Sequence, residues 1–216
     1  MTDEPVTASC GLYLLTPPRI DLAAFLPRFE AAFEGGPVAA VQLRLKDATD
    51  AEVLAAAERL MPIAHAHDAA FIVNDRPDLA KLAGADGVHL GEDDMDVASA
   101  REILGYDKDI GISCYASKDR AFEAGDAGAD YVAFGAFFPT ETKDPKARAV
   151  PDILTDWTMI SELPCVAIGG ITADNCGVLV EAGADLLAVS SYVWTLPDGP
   201  ASAVHLLTHA IEAASE

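Results

Sequence analysis

No apolar run in this chain approaches the ~20 consecutive residues that a membrane-spanning helix needs, although 51% of its 216 residues are apolar. The opening stretch, Met1 to Ser9, lacks the basic and apolar regions of a signal peptide, so the expected location is the cytoplasm. Positive charge is scarce: 14 Lys and Arg face 35 Asp and Glu, a formal charge of −21. Such a chain repels nucleic acid and anionic membrane surfaces, and neither is expected as a partner. Anionic substrates would have to be caught by a local cluster of cations. Cysteine is sparse as well. Cys10, Cys114, Cys165 and Cys176 show no CxxC spacing, and the first three lie in or beside apolar runs. They read as small buried hydrophobes in a reducing compartment. The five histidines form no constellation. His65 and His67 face different ways, His205 and His209 lack a third ligand for zinc, and His89 reads as a satisfied interior residue. Acyl transfer through a His-activated nucleophile is not expected. No linker or low-complexity stretch divides the chain, so residues 1–216 are expected to form one domain.

What the chain does have is a recurring fragment. Ala83-Gly84-Ala85-Asp86, Ala127-Gly128-Ala129-Asp130 and Ala182-Gly183-Ala184-Asp185 each close a helical pattern and run straight into an apolar stretch. Gly supplies a left-handed helix end, Ala permits close packing, and Asp makes the turn into the strand. Three copies of one junction indicate a repeated βα unit. Strand-like runs fall at Leu12–Leu15, Ala39–Leu43, Ala70–Val73, Gly87–Leu90, Ile110–Ser113, Tyr131–Phe134, Cys165–Ile168 and Leu186–Val189. Helical patterns fall at Leu22–Phe33, Ala51–Ala66, Pro77–Leu82, Val97–Leu104, Lys118–Ala124, Ile153–Leu163, Asn175–Glu181 and Ala201–Ala214. This alternation predicts an α/β fold, a (β/α)8 TIM barrel. An open doubly wound sheet uses the same grammar and is the alternative.

In such a fold function lives where strands end. The third and fourth runs lead into Asn74-Asp75 and Glu92-Asp93-Asp94. With a helix between them the two strands must be parallel, so Asp75 and Asp94 should meet at one rim, as a hard divalent cation requires. Asp93 is expected to stand back from the ion. In Gln42-Leu43-Arg44-Leu45-Lys46 the alternation sends the three polar side chains to one face, toward the barrel mouth. Lys143, Lys146 and Arg148 supply the local cation cluster, on a Pro139–Pro151 loop that reads as a mobile lid. Gly169-Gly170 and Ser190-Ser191, after the last two strands, occupy the usual phosphate position of barrels.

Together, Gln42 to Lys46, Asn74-Asp75, Gly87 to Gly91 with Asp94, Gly111 to Ser113, Thr140 to Lys143 and Ala167 to Ile171 resemble the thiamine phosphate synthase family, from about Leu12 to about Trp194. The resemblance implies a Mg2+-dependent transferase. It would join 4-amino-2-methyl-5-(diphosphomethyl)pyrimidine to a hydroxyethylthiazole phosphate, releasing pyrophosphate. It assigns Gln42, Arg44, Lys46, Asn74, Ser113 and Lys143 to the pyrimidine diphosphate, with Arg44, Lys46, Ser113 and Lys143 as the catalytic set. Asp75 and Asp94 would hold the Mg2+. Thr140, Thr142, Gly170, Ser190 and Ser191 would hold the thiazole phosphate. The expected partners are these two small molecules. Oligomeric state is left open, a homo-oligomer included.

Three positions depart from the family pattern: Glu92 stands for the usual Gln, Glu141 adds a further charge, and Tyr115 stands where many relatives carry His. The last distinguishes the chain from thiazole tautomerases of the same fold, which use a histidine near that position and tend to lack the carboxylates. A non-catalytic precursor-binding protein would not need an intact diphosphate set. A sugar-phosphate isomerase would need an acid/base pair in the mouth. The transferase reading gives a direct expectation: Lys143→Ala should slow turnover by roughly 10²-fold, the range for losing one transition-state donor. An unchanged kcat would remove Lys143 from the catalytic set.

Overall fold

A computed structural model of the chain describes residues 10–140 and 148–215. Eight parallel strands, β1 (Gly11–Leu15), β2 (Ala40–Leu43), β3 (Ala70–Asn74), β4 (Gly87–Leu90), β5 (Asp109–Tyr115), β6 (Tyr131–Gly135), β7 (Cys165–Ile168) and β8 (Leu186–Val189), pair in chain order, and β8 closes on β1. Closure rules out the open doubly wound sheet. Around the barrel lie α1 (Leu22–Glu34), α2 (Asp50–Ala66), α3 (Pro77–Ala83), α4 (Val97–Leu104), α5 (Lys118–Asp126), α6 (Asp152–Ile160), α7 (Gly177–Glu181), α8 (Ser191–Thr195) and α9 (Gly199–Ala214). Among the described residues no helix is long and apolar enough to cross a membrane.

Three details differ from the sequence pattern. The five-residue α8, directly after β8, was not anticipated, because so short a helix carries little periodicity. The seventh helix starts at Gly177 rather than Asn175. The Asn175 side chain is spent on the preceding loop: it accepts from Thr172 N at 2.8 Å and donates to Gly170 O at 3.0 Å. The sixth helix stops at Ile160, where the extended Ser161 ends it.

The strands separate two cores, as their alternation demands. Outward residues such as Leu14, Val41, Phe71 and Leu90 pack against helix residues such as Phe29, Leu60 and Leu79. Inward residues form a smaller cluster of Tyr13, Leu15, Ala40, Ile72, Tyr131, Ala133, Val166 and Ala188. Several of these are alanines, which leaves room above them. Gly111 matters here. A Cβ at that position would lie 1.9 Å from Cζ of Tyr131, so its missing side chain admits the Tyr131 ring to the barrel interior.

The repeated Asp does more than turn the chain. Asp86 Oδ2 accepts from Phe71 N at 2.7 Å while its own N–H donates to Phe71 O at 2.9 Å. Asp130 brackets Ile110 in the same way, at 2.7 and 2.9 Å, and Asp185 brackets Cys165 at 2.7 and 3.0 Å. Each copy thus ties the start of one strand to the approach of the next, at the end of the barrel opposite the mouth. The preceding glycines have φ of +74°, +93° and +96°, a left-handed turn that suits Gly. The four cysteines are buried, and burial pushes the thiols of Cys10, Cys114 and Cys165 up to about 12. They behave as inert packing groups.

Candidate active site

The C-terminal ends of the strands surround a cavity of about 770 Å³. Its floor is a chain of hydrogen bonds drawn from five strands. Gln42 Nε2 donates to Tyr13 Oη (3.0 Å), the Tyr13 and Tyr131 hydroxyls meet (3.0 Å), Tyr131 Oη meets His89 Nδ1 (3.1 Å), and His89 Nε2 meets Ser113 Oγ (2.9 Å). Only one direction of donation serves every buried group. Gln42 donates to Tyr13, Tyr13 to Tyr131, Tyr131 to Nδ1, and Nε2–H to Ser113, which leaves the serine hydrogen for the cavity. Sequence reading placed Gln42 and Ser113 in the site and His89 in the interior; it missed Tyr13 and Tyr131. Their signal was a phenol within an apolar strand run, in inward register with a polar neighbour.

Burial governs the chemistry of this floor. It lowers the His89 pKa to about 4 and raises that of Tyr13 to about 12, and it drives Tyr131 well above its ordinary value. His89 is therefore neutral near pH 7, and both its ring nitrogens are spent on neighbours. It offers no free acid or base to the cavity.

The rim is charged. Lys46 Nζ lies 2.5 Å from Asp75 Oδ2, and Asp94 Oδ2 accepts from Gly91 N at 2.7 Å. Asp75 has φ of +65°, a left-handed turn that Asp tolerates better than most residues, and it swings the carboxylate out of line with β3. Asp75 and Asp94 both face the cavity. Burial first, and then the neighbouring Asp75, raises the pKa of Asp94. Two neighbouring carboxylates at the mouth, one of them with its charge made costly by burial and by the other, suit a hard cation. Among the described residues no group of three or more His, Cys, Asp or Glu is placed to hold a metal; Asp75 and Asp94 are the pair at the mouth that could contribute to one. Asp93 lines the mouth beside them.

Arg44, Asn74 and Thr140 also line the cavity. Arg44 N–H donates to the buried Thr16 Oγ1 at 2.9 Å, and burial lowers the guanidinium's pKa from its ordinary value. On the opposite wall Gly169, Gly170, Ser190 and Ser191 lie together. Gly169 and Gly170 have φ of +108° and +65°, and a Cβ on Gly170 would stand 2.3 Å from Pro139 O. Close packing against the loop after β6 is thus one reason for glycine there, beside any approach of an anion. Arg148 is exposed and is not among the described lining residues. Thr142, Lys143, Lys146 and Glu141 lie outside the described residues, as does most of the expected lid.

Comparison with known proteins agrees with this geometry. A family model described as thiamine monophosphate synthase matches residues 12–193. The thiamine-phosphate synthase of Rhodospirillum centenum is 56% identical over 195 residues, 90% of this chain and 94% of the relative. That of Erythrobacter litoralis is 52% identical, covering 85% and 88%. The solved thiamine phosphate pyrophosphorylase from Pyrococcus furiosus superposes with a TM-score of 0.84 at 32% identity, over 97% of this chain and 98% of that one.

The neutral, buried His89 sets a pH dependence. In the unfolded chain it takes a proton near pH 6.5, but in the folded barrel only near pH 4. Its contribution to stability is complete above about pH 6.5 and is lost as pH falls toward 4, up to about 3 kcal/mol in all. Urea unfolding across that range should show this slope in the wild type and a shallower one in His89→Asn. Parallel curves would contradict the assignment.

Proposed function

The chain belongs to the thiamine monophosphate synthase family, and we propose that its barrel mouth joins an aminopyrimidine methyl diphosphate to a thiazole phosphate by a dissociative substitution. The enzyme is a transferase, a thiamine-phosphate synthase. The observation that carries the mechanistic reading is the rim: Asp75 and Asp94 side by side, with Lys46 and Arg44 around them.

The bond to break is the one between the pyrimidine's methylene carbon and the diphosphate oxygen. Its electron pair leaves with pyrophosphate, and the electron-rich aminopyrimidine carries the cation left behind. The thiazole nitrogen then donates its lone pair to that carbon. Asp75 and Asp94 would hold Mg2+, which when bound neutralises charge on the departing diphosphate. Arg44, Lys46 and Lys143 supply further positive charge for the diphosphate oxygens, and Asn74 and Ser113 donate hydrogen bonds. Gln42 orients the pyrimidine. Gly170, Ser190 and Ser191, with Thr140 and Thr142, hold the thiazole phosphate. No step needs a general base, which fits a floor whose histidine is neutral and fully engaged. The protein's share is positioning and charge stabilisation.

Purified protein supplied with both precursors should release pyrophosphate and thiamine phosphate in equal amounts, and only with Mg2+ present. Isomerisation of the thiazole without metal and without pyrophosphate would overturn this reading in favour of a tautomerase.

A further inference from the structure

Among the described residues, the cavity of this diphosphate site is lined by two cations, Arg44 and Lys46, and four carboxylates, Asp75, Glu92, Asp93 and Asp94. A metal between Asp75 and Asp94 would relieve two of these charges. Glu92 stands two residues from Asp94 on the same loop, and its carboxylate would oppose an incoming diphosphate at short range. The structure gives Glu92 a specific partner from outside the cavity lining. Arg120, in the first turn of α5, places Nη1 2.9 Å from Glu92 Oε1.

That guanidinium is held from two further directions. Its Cζ lies 5.6 Å from the centre of the Tyr115 ring, within range of a cation–π contact. Tyr115 reaches this position through an irregularity. The register of β5 on β6 shifts between Ser113 and Tyr115, and Tyr115 has φ of +55°, which a bulky residue rarely adopts. The start of α5 is fixed as well, since Ser117 Oγ accepts from Arg120 N. Meanwhile Arg120 Nε is buried with no hydrogen-bond partner among the described residues. The side chain therefore does not sit where its own hydrogen bonds are best satisfied. It sits where it meets Glu92 and Tyr115, the residues that depart from the family pattern on this side of the mouth.

We propose that Arg120 is a positioning residue for substrate capture: it cancels the charge of Glu92 and draws that carboxylate to the wall, keeping the diphosphate path open. The proposal rests on the diphosphate reading of the site. The Glu92–Arg120 pair also bridges the loop after β4 to α5, so it steadies the loop that carries Asp94. Glu92, Tyr115 and Arg120 act as one unit, in which removing the cation alone shifts the local charge by one unit toward the negative.

The test is a double-mutant cycle with substrate kinetics. Arg120→Ala and the length-preserving Arg120→Gln should each raise KM for the pyrimidine diphosphate about tenfold, the scale of removing one unit of positive charge near a bound anion, with kcat and KM for the thiazole phosphate within about threefold of wild type. Adding Glu92→Gln to either variant should bring that KM back to within about threefold of wild type. A merely structural role for Arg120 would not be rescued by changing Glu92. An unchanged KM in both single variants, or a raised KM that Glu92→Gln leaves raised, overturns the proposal. Calorimetric titration with inorganic pyrophosphate and Mg2+ reads the same cycle without turnover. Pyrophosphate affinity that falls with Arg120→Gln and recovers with Glu92→Gln upholds the pair even if the wild type forms no thiamine phosphate, an outcome that would sink only the functional reading.

Discussion

The site depends on a repulsion. Asp75 and Asp94 are delivered to one rim because β3 and β4 are parallel neighbours, and there burial and the nearby Asp75 make the charge on Asp94 more costly. Lys46 and the Gly91 N–H absorb part of the charge. What remains is an arrangement short of positive charge in a molecule already strongly acidic. In the proposed mechanism a divalent cation carrying a diphosphate would supply what the rim lacks, and the nearby Arg44 and Lys46 would hold the same anion from the side.

The floor works on the opposite principle. There polar groups are buried, neutral and fully satisfied, and the direction of the hydrogen-bond chain is dictated by its Gln42 end. Fixing Gln42 and Ser113 in one network aligns two residues that the proposed mechanism places on the same substrate. The chain is possible because Gly111 gives up its side chain to the Tyr131 ring, while alanines elsewhere on the inward face leave room above the floor. Below the floor, three aspartates brace the strand starts, which leaves the opposite ends of the strands to serve the cavity.

Much of this was legible in the sequence. Near-continuous apolar runs separated by helical periods could satisfy their backbones only as parallel strands, and their limits agree with the observed ones to within two residues. The strand ends gave the carboxylates and the Gln42-to-Lys46 face, because period-two alternation fixes direction. Other parts were not legible. Tyr13 and Tyr131 sit among apolar neighbours, and alternation does not mark which face of a wholly buried strand turns inward. The short α8 left no periodicity. The Glu92–Arg120 pair joins the loop after β4 to α5, 28 residues on, and only the pairing of neighbouring βα units brings them together. Glu92 looked like an unexplained charge because its partner belongs to the next βα unit.

The central claim is that the Asp75–Asp94 rim holds a divalent cation together with a diphosphate. Titration with Mn2+ in place of Mg2+, followed by electron paramagnetic resonance with inorganic pyrophosphate present, addresses it without depending on turnover. The account predicts one ion bound per chain, with pyrophosphate tightening its binding, and loss of that binding in Asp75→Asn/Asp94→Asn. Equal Mn2+ binding by the wild type and the double variant would contradict it.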